Sequence, residues 1–336
     1  MKKLEVGVGP MSVEIIDAVI KYARRKNIQL MLIASRNQIE CAELGGGYVG
    51  AFNTRTFAQY VRERDPDGHV MLCRDHCGPF LNDIEKGMSY KEAMERTKQS
   101  LSTDMYAMDL IHIDTSAAPD PYAAAEELFS LSMLSSKWLE YEFGTEENIG
   151  TAVSVEKFES DVRFITSLYP GVLMPRYVVG QTGSLVKSHK QVGSFSPEVV
   201  KQLVNIAEKY GVKLKEHNAD YISDAEVQHR KTIGVHAINV APEFGAAQTQ
   251  VLVDLAMRCG FVEGLNAFTD HVAASGKWKK WEYGPTFSTY NKLICAGHYH
   301  FTDPEYLSLV EKINDHEDFQ EHVEKRVFQL LDRYTV

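Results

Sequence analysis

Residues 69–80 read HVMLCRDHCGPF: an apolar run that closes on an Asp–His pair and then breaks at Gly-Pro. Polar chemistry at the carboxyl end of an apolar run is what a parallel strand opening onto a site should look like. The pattern recurs on both sides of this stretch. Eight apolar runs stand out: LEVGVG, LMLIAS, HVMLCRD, LIHIDTS, LEYEFG, PRYVVG, VKLKEH and GVHAINVAP. Between them the apolar spacing predicts helices over 12–26, 54–64, 88–107, 121–136, 155–168, 197–210, 222–232 and 246–259. Start and stop signals support them. Ser196 and Pro197 precede VVKQLVNIAEKY and Gly211 follows it, and Ser223 opens DAEVQHRKTIG. Strands alternating with helices imply parallel pairing, and eight of them favour a closed (β/α)8 TIM barrel over an open doubly wound sheet. No early GxGxxG opens a helix, so a dinucleotide fold has no support. The rhythm stops near residue 260. Residues 1–260 are read as the barrel, and 261–336 as a partly helical, aromatic extension packing on it, able to cover the mouth.

The bulk numbers bound the function. With 336 residues the chain can bury a large core. A net charge of −10 argues against a nucleic-acid partner. Glu5, Glu14 and Asp17 interrupt any leader-like apolar core, and no run approaches the ~20 residues of a membrane helix. Five cysteines without a CxxC pair point to reduced thiols. These readings lead to the expectation of a cytoplasmic protein with a small-molecule substrate.

Three histidines close apolar runs: His76 in RDHCGP, His189 in VKSHKQ and His217 in KEHNADY. A barrel brings such ends to one rim, and three imidazoles with an open position are a common catalytic zinc set. A divalent metal is therefore expected, zinc first, with manganese or cobalt as alternatives. Asp75 is read either as an acid/base beside the metal or as a turn cap. A zinc knot of Cys73, His76 and Cys77 lacks an obvious fourth ligand. Glu146 is a second acid/base candidate, with Glu142 and Glu147 close by. Asp114 should line the mouth, with His112 deeper in the barrel on the same face. Glu216 or Asp220 could orient His217. Asn37, Gln38, Lys187 and Asn239 are candidate substrate contacts. Arg36, Arg176, Lys190 and the amides of PEFGAAQ are candidate anion donors. Lys279 and Lys280, set among tryptophans, read as part of an amphipathic cover rather than a nucleic-acid patch.

At these residues the chain resembles the D-tagatose-bisphosphate aldolase subunit family of the GatZ/KbaZ type, related to class II metal-dependent aldolases. LIASRNQ followed by GGYVG looks like that family's second-strand segment. RDHCGP is similar to its Asp-His-x-Gly-Pro, IHIDTS to its Ile-His-Leu-Asp-Ala-Ser, and YEFGTE to its Tyr-x-Ile-Gly-Thr-Glu. KSHKQ and KEHNADY carry a His where the family does, and GKWKKWEY is similar to its Trp-Lys-Lys tail. The resemblance implies a (β/α)8 barrel, metal ligands at His76, His189 and His217, an acid/base at Asp75 and a polar site residue at Glu146. It implies an aldolase-type lyase acting on a ketose or ketose phosphate through an enediolate. A C4 epimerase using retro-aldol and aldol steps, or an accessory subunit of a separate aldolase, are the alternatives. A homo-oligomer is expected, with a partner aldolase subunit in the accessory case. The family carries a Lys and an Arg near positions held here by Asn239 and Gln250, and AGHYHF replaces an Arg-rich tail segment. Fewer cations make a monophosphate, a free sugar or a nucleotide-linked sugar plausible substrates.

Overall fold

The computed structural model describes residues 3–135, 137–145, 149–172 and 174–335. Eight parallel strands close a barrel: β1 (Glu5–Val8), β2 (Leu30–Ser35), β3 (Val70–Cys77), β4 (Leu110–Asp114), β5 (Glu140–Gly144), β6 (Tyr177–Val179), β9 (Lys213–Glu216) and β10 (Ala237–Val240). Neighbours in sequence pair in space, and β10 returns to β1 with Glu5 opposite Ala237 and Val8 opposite Val240. The eight apolar runs are these eight strands. A two-stranded hairpin, β7 (Val186–Lys187) and β8 (Lys190–Gln191), interrupts the repeat after β6.

The helices form where caps and apolar stripes coincide. They are α1 (Val13–Lys26), α2 (Thr54–Arg64), α3 (Tyr90–Ala107), α4 (Pro121–Ser132), α5 (Val155–Leu168), α6 (Pro197–Lys209), α7 (Asp224–Ile233) and α8 (Pro242–Arg258). Ser12 accepts from the Ile15 amide at the start of α1, and Asn27, at φ 51°, ends that helix in the left-handed conformation. Reciprocal capping boxes open α2, α3 and α7 at Asn53/Thr56, Ser89/Glu92 and Ser223/Glu226. α8 begins at Pro242, earlier than the apolar spacing alone suggests.

Alternation along the strands fills the barrel in layers. At the amino-terminal end the Glu5 carboxylate takes Arg176, Lys213 and, at 2.5 Å, the Tyr177 hydroxyl. Met31, Ile33, Cys73, Leu110, Tyr177 and Ala237 form an apolar middle. Above it, at the carboxyl end, the inward residues are polar. Cys77 faces the helix layer while Cys73 faces the barrel interior, so the two thiols lie on opposite sides of the wall and the Cys–His–Cys knot does not form.

The chain continues as α9 (Val262–Ser275), α10 (Thr289–Ala296), α11 (Pro304–Asn314) and α12 (Phe319–Thr335). α12 packs against both α1 and α8. Tyr22 of α1 donates to Asp332 at 2.8 Å, and its ring meets Phe328 edge-on at 5.2 Å. The 3₁₀ turn at Lys277–Trp281 lies beside the mouth. The Trp281 carbonyl accepts from the Ser188 amide at 2.7 Å, and Lys277 approaches Asp83 at 3.8 Å. None of the described helices is long and apolar enough to cross a membrane.

Candidate metal centre

Strand β3 ends irregularly. Its register on β4 shifts between Arg74 and Cys77, and His76 adopts φ 52°. Successive strand residues ordinarily point to opposite faces, but this bulge turns both Asp75 and His76 toward the mouth. His112 of β4 and His217, just after β9, point inward at the same height. The three imidazoles form a near-regular triangle, with ring centroids 5.5, 5.4 and 5.0 Å apart. One ligand atom from each, together with one from Asp75, falls within 4.8 Å of all the others.

Each imidazole is held through one nitrogen by a carboxylate. His76 Nδ1 lies 2.6 Å from Asp114, His112 Nδ1 lies 3.2 Å from Asp75, and His217 Nε2 lies 2.6 Å from Glu142. Carboxylate–histidine pairs of this kind orient metal ligands and free the second nitrogen. The other nitrogen of His112, Nε2, is buried and has no hydrogen-bond partner. The residue opposite that atom is Gly144, where a Cβ would lie 3.0 Å from it. Three carboxylates, Asp75, Asp114 and Glu142, are buried here with one ammonium, Lys215, 2.6 Å from Glu142, which leaves negative charge in excess. Imidazole donors, an orphaned nitrogen and surplus negative charge together fit a divalent cation.

The ionisation states follow from these contacts. Burial alone would lower His76, but Asp75 and then Asp114 outweigh it and raise His76 to about 9. Burial would raise Asp75, yet His76, His217 and His112 hold it well below the ordinary carboxylate range. Glu142 is likewise pulled against burial, chiefly by Lys215, down to about 2. His217 stays below its ordinary value because burial outweighs Asp75 and Glu142.

The residues expected from the sequence divide. Asp75, His76, His217, Asp114 and Asn239 meet at this centre, Asn239 Nδ2 lying 3.1 Å from His217 Nε2. His189 does not join them; the third imidazole of the cluster is His112. The hairpin carries His189 to a separate cavity beside Tyr221, Glu243 and Gln250, and is tied there by the Ser188–Trp281 backbone bond. Lys187 donates to the Lys280 carbonyl at 2.7 Å rather than facing the centre. Asn37 braces the loop after β3 through Leu81 and Asp83, and Gln38 caps the Ser35 amide. Glu146 and Glu147 lie outside the described residues; Glu142 is the carboxylate that reaches His217. Glu216 pairs with Arg230, 2.7 Å away on the outer side, and Asp220 accepts from the amides of Ala241 and Glu243.

The anion donors are corrected most strongly. Arg36 is fully buried between Glu40 and Glu85. Arg176 sits at the opposite end of the barrel on Glu5 and Glu140. Of the PEFGAAQ amides, that of Glu243 is already taken by Asp220, which also takes the amide of Ala241 just before it. The cavity over the centre, about 290 Å³, is lined by the three histidines with Asp114, Ser116, Gln181 and Asn218, and by no Lys or Arg among the described residues.

Reasoning from sequence set His112 deeper in the barrel and outside the candidate ligand set, and did not single out Lys215. The signal was present in both cases. His112 shares a face with Asp114, and Lys215 shares one with His217, two residues on in KLKEH. Cross-strand register then sets Glu142 opposite His112.

No family model and no curated protein matches the chain. Among solved structures it is similar to a probable tagatose 6 phosphate kinase from Sinorhizobium meliloti 1021, with a TM-score of 0.79 at 16% identity over 99% of each chain. It is similar to the fructuronate-tagaturonate epimerase UxaE from Cohnella laeviribosi, with a TM-score of 0.62 at 10% identity, covering 99% of this chain and 81% of that one. It is also similar to the YdjI aldolase from Escherichia coli K12, with a TM-score of 0.57 at 12% identity, covering 99% and 91%. Likeness at these identities is likeness of fold: this chain has the closed barrel those proteins are built on.

Proposed function

We propose that the chain is a metal-dependent enzyme of aldolase type, making or breaking a carbon–carbon bond in a ketose. The observation that carries this reading is the triangle of His76, His112 and His217 beside an ionised Asp75 at the barrel mouth. A divalent ion held by the three imidazoles would supply a Lewis acid for a substrate carbonyl. Asp75, kept anionic by its neighbours, acts as proton acceptor from the substrate hydroxyl whose carbon leaves as an aldehyde. It returns that proton when the bond re-forms. Asp114 and Glu142 hold His76 and His217 in place. Ser116, Gln181 and Asn218 offer neutral hydrogen-bonding groups to the sugar hydroxyls.

The absence of Lys and Arg from that lining, among the described residues, favours a sugar without phosphate at the reacting end. It also favours an epimerase as the second reading. An aldehyde that stays bound and turns over before re-addition would give a C4 epimer, and one of the similar structures is an epimerase.

The test uses the purified chain alone, loaded with zinc, manganese or cobalt and offered ketoses and ketose phosphates. Turnover that requires metal and prefers an unphosphorylated ketose is expected. Released aldehyde identifies a lyase, and exchange at C4 without release identifies an epimerase. Asp75→Asn should keep the metal and lower kcat by roughly 10²–10⁴-fold. A fully metal-loaded chain that turns over none of these sugars sinks the proposal and leaves the accessory-subunit role.

A further inference from the structure

A second group of metal-ligating side chains lies outside the barrel, on the C-terminal helices. His271 belongs to the last turns of α9, His300 ends the 3₁₀ turn Gly297–His300, and Asp303 is the N-cap residue of α11. Asp303 Oδ2 lies 2.7 Å from both His271 Nε2 and His300 Nδ1, and the two rings meet edge-on at 4.9 Å. One ligand atom from each residue falls within 4.8 Å of the other two.

Two further features set this cluster apart from an ordinary hydrogen-bonded trio. Asp303 occupies an N-cap position, yet its side chain caps no amide of α11. An aspartate there normally accepts from the helix; this one is given over to the imidazoles. The hydrogen bonds also leave an acceptor conflict. If both rings donate to Asp303, the bare Nδ1 of His271 faces Glu305 Oε2 at 3.8 Å, and that buried oxygen has no hydrogen-bond donor. A cation taking His271 Nε2, His300 Nδ1 and Asp303 reverses this. The proton of His271 then sits on Nδ1, on the side of the Glu305 carboxylate 3.8 Å away.

We propose that His271, His300 and Asp303 form a second divalent-metal site, with two nitrogens and one oxygen suiting zinc. Its role is structural: it clamps the 3₁₀ turn to α9 and α11. The same turn carries Tyr299, whose ring lies 5.0 Å from Tyr48 in the loop after β2, so the clamp steadies one wall of the mouth. The proposal stands on its own residues, whatever the barrel centre holds.

The experiment compares full-length wild type, His271→Ala, Asp303→Asn, His76→Ala and the His76→Ala/His271→Ala double variant. Each is stripped with chelator, reloaded with zinc and desalted, and its zinc is measured by elemental analysis. His271→Ala and Asp303→Asn should each hold one zinc per chain fewer than wild type. Zinc at a hundredfold excess over its Kd should raise the Tm of His76→Ala by about 4 °C, and the double variant should lose that rise. His271 is partly exposed on α9, so its replacement leaves the core intact. Equal zinc in wild type, His271→Ala and Asp303→Asn overturns the site.

Discussion

Glu142 ties the metal centre to the barrel's interior charge. One of its oxygens holds His217 and the other holds Lys215, both partners buried. A buried pair is weak evidence of net stability, but half a pair is costly. Lys215→Met should therefore destabilise the fold by roughly 3–5 kcal/mol, read as a fall in denaturation midpoint, and adding Glu142→Gln should recover part of that loss. Gly144 offers a gentler probe. The methyl of Gly144→Ala would press on His112 and on Val179, which it would approach at 3.3 Å. Metal affinity should fall roughly 10–100-fold, as when a ligand is misoriented, with circular dichroism unchanged. Comparing His112→Ala with His189→Ala separates the ligand sets: loss of metal from the first and retention by the second is expected, and the reverse would restore His189. At this scale the sequence was half legible. RDHCGP and KEHNADY announced His76 and His217 because each closes an apolar run. His112 sits inside its run, where a histidine reads as core, and only the register of β4 on β5 sets it beside Glu142.

At the scale of elements, the eight strands were readable because parallel strands buried on both faces leave continuous apolar runs. The hairpin was not, since four paired residues in VKSHKQ carry no periodicity. It is the hairpin that takes His189 away from the centre. The start of α8 was similarly hidden. Its amides looked free for an anion, but the carboxylate that caps them comes from Asp220, in the loop after β9, a long-range contact without a local signal. Burial pushes the Asp220 carboxyl up to about 7, with the amides of Glu243 and Ala241 pulling against it and the Glu243 carboxylate adding to it. The folded state thus keeps a proton that the unfolded chain releases near 3.8. The associated stability is complete below that value and is lost as pH rises through about 7. Wild type should therefore lose stability relative to Asp220→Asn across that window, by on the order of a few kcal/mol, in urea denaturation at a series of pH values.

Seen as a whole, the molecule carries its eight barrel strands before residue 260 and a helical extension after it, and the two share one core. Residues beyond 260 include α12, which packs on α1 and α8 and so joins the ring of helices around the barrel. The composition change near 260 marks a change of topology and not the edge of a core. A chain ending at residue 260, or lacking 319–335, should fail to unfold cooperatively, because α1 and α8 have lost the helix that packs on both, including the Phe328 ring against Tyr22. A sharp melting transition in such a fragment would show the barrel to be self-sufficient.

The embrace of first and last helices also bears on how the protein is made. Tyr22 waits for a partner 310 residues downstream. At ribosomal speeds of about 5–20 residues per second, the nascent chain carries an uncovered helix for roughly 15 to 60 s. Closure waits on that segment, and until it emerges the nascent polypeptide is a natural client for chaperones that shield exposed apolar surface.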